Sequence, residues 1–376
     1  MPPRLISWTF ALGALLMLGP SYSLPASARR PSLGTTQVVN QAVGVWEDIS
    51  DRLPPQPTGA RPITSVVVKG STVWAAEHNT GVLYRSEDSG ATFSAIQTGL
   101  PGIFDLHFFD ELNGVMISNS KFSRTADGGL TWSAPVTVGP NIYATSFATP
   151  LIGYAGGNGG IVYRTQDGGA TWEKKPSSLT CCSVADLAFP NPATPDVGFM
   201  AIINSGSILF RTTDGGTTWT VVSYQTLGTR VGALTALDFV SPEAAWGVGG
   251  FGGILQLKNG QWIQQVSHAP VNQFGEQVTL FGVSFLADAR NGWAVGNNGT
   301  ILHTSDGGQL WTQEGQALGL PTQTALYGIA AVTPTLAFAS GYPASVMGGP
   351  ATDDRRLFVY RAPTYNHHLY LPQISP

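Results

Sequence analysis

The sequence predicts an all-β protein, a seven-bladed β-propeller with an acid-bearing turn in most blades and head-to-tail closure by an N-terminal strand. Three observations carry this. An eight-residue box recurs five times, at Ser86–Phe93, Thr125–Trp132, Thr165–Trp172, Thr212–Trp219 and Thr304–Trp311, each with Ser or Thr first, Asp third, Gly fifth and an aromatic last. A worn sixth copy, Leu257–Trp262, has Asn259 at the acid position, and positions 88, 127, 167, 214, 259 and 306 lie 39, 40, 47, 45 and 47 residues apart, the ~40–50 residues of one four-stranded blade. Finally, Gly 46 and Pro 26 against 11% charged residues describe a turn-dense chain and disfavour a helical bundle.

The elements follow in chain order. Arg4, the apolar run Ile6–Gly19 and the small-x-small Ala26-Ser27-Ala28 predict a signal peptide over 1–28, cleaved near Ala28, so the product is expected to be exported to an extracellular, periplasmic or lumenal space. The apolar run is short against the ~20 residues of a spanning helix. Residues 29–44 read as a linker. Val45–Ile49 looks like an outer strand with no blade of its own. Each blade then repeats one plan: an inner strand, such as Phe104–Phe109, Val184–Phe189, Leu237–Val240 or Phe281–Phe285, then a hairpin, then the box, whose aromatic begins the outer strand. In Gly153–Arg164 the turn residues are Asn158-Gly159, a type I′ signal. A boxless seventh unit has strands at Leu326–Val332, Thr335–Gly341 and Leu357–Arg361 but lacks a fourth. If Val45–Ile49 supplies it, residues 45–362 form seven blades of about 45 residues and the ring has no long free edge. Residues 363–376 are a tail.

Charge and cysteine content narrow the function. Lys+Arg 19 against Asp+Glu 23 gives net charge −4, no basic field for nucleic acid. Two cysteines exclude a disulfide-rich scaffold or a multi-thiolate metal site. No metal or cofactor motif appears, so none is expected. Asp88, Asp127, Asp167, Asp214 and Asp306 are read as turn chemistry: the carboxylate accepts backbone N–H groups, the glycines tolerate positive φ, and the leading Ser or Thr adds a local bond. The position before the box is basic in most blades, giving Arg85, Arg124, Arg164, Arg211, His303 and, in the boxless unit, Arg361. Such a series suits carboxylate-bearing partner segments; its alternative is packing along the blade with a local acid. Arg355 and Arg356 end a long Tyr342–Arg356 connection, a second candidate surface, and Ser267–Val278 is a third. The adjacent Cys181 and Cys182 admit a vicinal disulfide, two thiols or pairing between chains.

The segments Gly292–Trp311 and Gly153–Trp172 resemble the photosystem II stability/assembly factor family, within the broader class of Asp-box (BNR-type) propellers that includes sialidases, sortilin-like receptors and xyloglucanase-type glycosidases. The resemblance covers most of the mature chain. It implies an exported, non-enzymatic propeller that binds newly made core protein of a membrane complex, with an arginine-rich docking surface. The expected partner is thus a protein, the chain acting as a monomer that meets a membrane only through that partner.

An enzyme is the competing reading. A sialidase needs an arginine triad and a Tyr–Glu pair, and the arginines outside the repeat series, with Arg61-Pro62-Ile63 the nearest motif, form no convincing triad. A xyloglucanase-type enzyme uses acids facing a groove between two propellers. Asp105, Asp186 and Asp238 lie on inner strands and are the candidate acid and base, against a role as hydrogen-bonded channel lining.

Overall fold

The computed structural model describes residues 44–56, 62–176, 179, 182–203, 208–228, 230–271, 275, 277–320, 324–343 and 355–362. Their strands form seven small antiparallel sheets. Blade 1 is Ile63–Lys69, Thr72–Glu77, Val82–Ser86 and Ser94–Gln97. Blade 2 is Ile103–Phe108, Gly114–Ser118, Lys121–Thr125 and Val136–Thr137. Blade 3 is Ile142–Phe147, Gly153–Gly157, Val162–Thr165 and Glu173–Lys174, and blade 4 is Ser183–Ala188, Gly198–Ile203, Leu209–Thr212 and Thr220–Val221. Blade 5 is Leu234–Ser241, Ala244–Gly249, Ile254–Lys258 and Gln261–Gln265, with Tyr224–Gln225 added in parallel at its outer edge. Blade 6 is Leu280–Phe285, Gly292–Gly296, Ile301–Thr304 and Thr312–Glu314. Neighbouring inner strands pack in chain order and the seventh returns to the first.

Blade 7 contains Thr324–Thr333, Leu336–Pro343 and Arg356–Arg361, and its outer strand is Val45–Asp48. The register is antiparallel, Val45 opposite Arg361 and Asp48 opposite Phe358. The ring is closed by its first strand pairing with its last, and the free edge of the last sheet is covered. Trp46, 4% exposed, packs on Tyr360 at 5.5 Å between rings and donates its indole N–H to Glu314 Oε2 at 3.0 Å, tying the closing strand to blade 6 as well.

The core lies between blades. Trp74 stacks on Phe108 of the next blade at 3.7 Å, Tyr154 on Phe189 at 3.4 Å and Trp246 on Phe285 at 3.5 Å. One flat ring on the second strand therefore covers the inner strand of its neighbour, a repeated use of aromatic area. Every inner strand also slips register by one residue near its start, at Thr64, Phe104, Tyr143, Ala185, Thr235, Phe281 and Tyr327. Such a bulge re-aims its extra residue, and six of these seven line the central channel, a cavity of about 300 Å³.

Two local expectations need correction. Box aromatics do not begin the outer strand: Ser94, Glu173, Thr220 and Thr312 follow Phe93, Trp172, Trp219 and Trp311, and blade 2 waits until Val136. The aromatics themselves range from Trp311, fully buried, to Trp132 and Trp172, half-buried. In blade 3 the positive φ angles fall on Gly159 and Gly160, not on Asn158, because the Asn158 side chain is held by Ser183 Oγ and Tyr143 Oη.

Candidate functional site

The box turns are built almost identically. In blade 2, Asp127 Oδ1 accepts from Thr125 Oγ1 at 2.8 Å and from the Thr131 N–H at 2.9 Å, while Oδ2 accepts from Thr131 Oγ1. Thr125 Oγ1 in turn accepts from the Gly129 N–H at 2.8 Å. Asp88, Asp167 and Asp214 repeat the arrangement with Thr92, Thr171 and Thr218. Asp306 keeps the bonds from Thr304 Oγ1 and the Leu310 N–H to Oδ1 but has no hydroxyl for Oδ2, since Leu310 stands where the others have Thr. Hydrogen bonds from Thr131 and Thr171 hold Asp127 and Asp167 down at about 2, and those from Thr92 and Ser86 hold Asp88 low. A carboxylate so saturated by its own turn is a poor general acid. Blade 5 replaces the box with a two-residue hairpin in which Asn259 and Gly260 both have positive φ.

Arg85, Arg124 and Arg164 lean over the next blade. A Cβ on Gly128 would meet Arg85 Nη2, and one on Gly168 would meet Arg124 Nη1. Arg361 Nη2 donates to Ser89 O at 3.2 Å, bridging blade 7 to the first box. Several are paired locally: Arg85 with Glu87 at 2.6 Å, Arg164 with Asp196 at 2.8 Å, and His303 with Glu314 at 2.9 Å. Arg164 also bonds Tyr154 Oη, and His303 stacks on Trp293. Arg211 differs in that its side chain is exposed. Among the described residues Arg124 and Arg211 make no ion pair.

Arg355 departs from its expected surface role. It is 2% exposed, donates to Pro54 O at 2.8 Å and Tyr84 Oη at 2.7 Å, and lies over the Tyr84 ring. Tyr84 Oη donates to Glu77, which is fully buried and also bonded by Thr80 Oγ1. Burying a carboxylate in blade 1 calls for polar and cationic neighbours, so Arg355 is turned inward. Arg356 is half-buried, its Nη1 bonded to the Arg355 carbonyl. Most of the Tyr342–Arg356 connection, 344–354, lies outside the described residues, as do Cys181, part of Ser267–Val278, the signal peptide, all but Gly44 of the linker, and the tail. Cys182 is disulfide-bonded, with φ of 73°.

Asp105 and Asp186 line the channel, whereas in blade 5 Ala236 and Leu237 line it and Asp238 follows them; each of the three acids holds the next blade. Asp105 Oδ2 accepts from the Thr145 N–H at 2.8 Å and from its hydroxyl at 2.6 Å; Asp186 Oδ2 accepts from the Leu237 N–H at 2.8 Å; Asp238 Oδ2 accepts from the Phe285 N–H at 2.6 Å. Ser146 and Ser284 do the same for Phe189 and Ala331. Burial raises all three acids, Asp186 to about 7 with the Asp105 charge adding to it, and Asp238 to about 6. Above them Phe104 and Tyr143, 5.0 Å apart, and Phe281 and Tyr327, 4.8 Å apart, form an aromatic collar. The collar was missed in the sequence; its signal is an aromatic at the bulge of two adjacent blades, twice, in blades 2 and 3 and in blades 6 and 7.

No family model and no curated protein matches the sequence. Solved structures do. YCF48 bound to a D1 peptide is 18% identical, with a TM-score of 0.59 over 88% of this chain and 100% of that one. YCF48 from Cyanidioschyzon merolae is 15% identical, with a TM-score of 0.59 over 85% and 98%. The GH74 xyloglucanase from Xanthomonas campestris is 14% identical, with a TM-score of 0.59 over 84% of this chain and 55% of that one. What they share with this chain is the propeller. This chain spans about half the length of the xyloglucanase and the whole of the YCF48 propeller.

Proposed function

We propose that this chain is an exported, non-enzymatic propeller that binds protein, an assembly factor whose specific client is a subunit of a photosystem II-type membrane complex. The observation that carries the reading is the state of its charged groups. The inner-strand acids, the best candidates for catalysis, are engaged as acceptors for backbone N–H groups of the next blade, whereas Arg124 and Arg211 have no acid partner among the described residues and Arg211 and Arg361 are exposed. Guanidinium groups on a rigid ring suit bidentate capture of carboxylates in a partner segment. The full-length likeness to YCF48, solved with a D1 peptide, supports a protein ligand; the xyloglucanase likeness favours a carbohydrate-active alternative.

Affinity capture with cross-linking from envelope membranes of the native host tests this, comparing the mature protein with a variant carrying Arg124→Ala, Arg211→Ala and Arg361→Ala. The expected result is enrichment of one membrane-complex subunit, lost in the variant. Retention of glycans with no protein lost, together with hydrolytic turnover abolished by Asp186→Asn, overturns the reading.

A further inference from the structure

Blade 5 also breaks the repeat in the turn between its second and third strands, at the end of the blade away from the box turns. Hydrogen bonds put three such turns in one frame. Gly250, Asn297 and Asn158 each donate their N–H to the residue just before their own inner strand, Ala233 O at 3.0 Å, Thr279 O at 2.9 Å and Asn141 O at 3.0 Å. The next position is left-handed in all three blades. Blade 6 has Asn298 there at φ 58° and blade 3 has Gly159 at φ 74°, residue types that tolerate the region. Blade 5 has Phe251, at φ 56° and ψ 35°. The Cβ of a bulky residue disfavours that conformation, and nothing in the core offsets it: the ring is half-buried and, among the described residues, joins none of the seven hydrophobic clusters.

What Phe251 does meet is a cation and a cavity. Arg230 is exposed, makes no ion pair among the described residues, and holds its guanidinium 4.4 Å from the centre of the Phe251 ring. A guanidinium stacked on a ring keeps its in-plane N–H fork available for a carboxylate. Beside the ring, between the turns of blades 5 and 6, opens a pocket of about 370 Å³ with Gly232, Gly250, Gln277, Val278 and Asn298 in its wall and no charged side chain in its lining. Apolar surface flanks the blade: Leu227 before it and Val266 and Val271 after it are all more than half exposed. The Leu227 N–H donates to Gln264 Oε1 at 2.9 Å, which keeps that leucine beside the end of the outer strand.

We infer that Phe251, Arg230 and this pocket form a docking site for a partner segment that carries an Asp or Glu next to an apolar side chain. The carboxylate lies in the Arg230 fork and the apolar side chain enters the pocket against Phe251 and Val278. Charge selects the first half of that pair, since the one charged side chain described at the site is a cation without a counter-ion, which draws a carboxylate and repels a basic segment. Composition selects the second: an aromatic, an arginine and exposed aliphatics are what interface cores are made of. The pocket lies at the small end of the ~300–1,000 Å³ of ligand sites, room for one side chain. A residue kept in a disfavoured backbone conformation at a rim, with no packing role, is also how function marks a turn. The inference rests on the reading of the chain as a protein-binding propeller and adds a contact away from the box-side Arg124, Arg211 and Arg361.

The test sets the mature protein on an array of decapeptides, an alanine background carrying Asp or Glu beside Leu, Ile, Val, Phe or Met, each with its Asn or Gln counterpart. Retention is expected on acidic members and not on their amide counterparts, and fluorescence anisotropy with the best of them gives the affinity. Arg230→Gln is expected to weaken it about tenfold or more, through loss of a charge-assisted contact. Phe251→Asn, the residue blade 6 uses, is expected to weaken it about fivefold while the melting temperature holds or rises. The variant carrying Arg124→Ala, Arg211→Ala and Arg361→Ala is expected to bind the peptide as the parent does. No retention, equal retention of the amide counterparts, parental affinity in Arg230→Gln or Phe251→Asn, or a lower melting temperature in Phe251→Asn overturns the inference. Binding lost in the triple variant overturns it too, by moving the site to the box face. Client capture from envelope membranes that survives Arg230→Gln but not the triple variant overturns this inference alone and leaves the protein-binding reading in place.

Discussion

At the scale of single residues, Thr125 shows how the box stabilises a turn. Its hydroxyl donates to Asp127 and accepts from the Asp127 and Gly129 N–H groups, so Thr125→Ala removes three bonds at a buried position and is expected to cost ~1–2 kcal/mol, read by chemical denaturation. The box acids also set an acid limit. A carboxylate whose pKa falls on folding stabilises the fold above the ~3.9 of an unfolded Asp and loses that contribution as pH drops toward about 2. Melting temperature should therefore fall between about pH 4 and pH 2, and Thr131→Val and Thr171→Val should shift that fall to higher pH. The channel acids act in the opposite sense. Asp186 is raised to about 7, so its contribution is full below ~3.9 and fades as pH climbs through 7. Asp186→Asn should flatten the loss of melting temperature between about pH 5 and pH 8; an unchanged slope would place that titration elsewhere.

Among the elements, the closing strand and its surroundings bear the most. Trp46→Ala removes a buried indole and its bond to Glu314 and is expected to cost ~3–5 kcal/mol, with the loss visible as earlier exchange of amides in Arg356–Arg361. Arg355→Met should cost a comparable ~3–5 kcal/mol because it leaves the Tyr84–Glu77 pair short of a cation. These elements differ in legibility. The Val45–Asp48 closure is visible in the sequence because Val45-Trp46-Glu47-Asp48 looks like the outer strand that follows a box and the seventh unit lacks one. The box is visible because only Asp, Gly and Ser or Thr satisfy its bonds. The inward turn of Arg355 is not, since Tyr84 and Pro54 lie some 270 to 300 residues away in sequence. Nor is the aromatic collar, because a one-residue bulge moves Phe104 and Tyr143 off the alternation that a plain strand would show. Arg211 was legible as one of a series, but not its exposure.

The whole molecule is a ring whose seams are written twice, in stacked aromatics and in side chains from one inner strand that cap the backbone of the next. Because Val45 sits opposite Arg361, the two ends of the ring are neighbours. A circular permutant joining Ala362 to Gly44 through a short turn and reopening at Gly99, which has no neighbour within 4 Å of an added Cβ, should keep the β-sheet circular dichroism and the melting temperature of the parent. Loss of cooperative melting would mean that the seam needs more than those paired strands. The same seam carries a temporal consequence. A ribosome releases Val45–Asp48 first and Arg356–Arg361 some three hundred residues later, so the first strand waits unpaired through nearly the whole of synthesis, and the contact that locks the circle is among the last the chain can make.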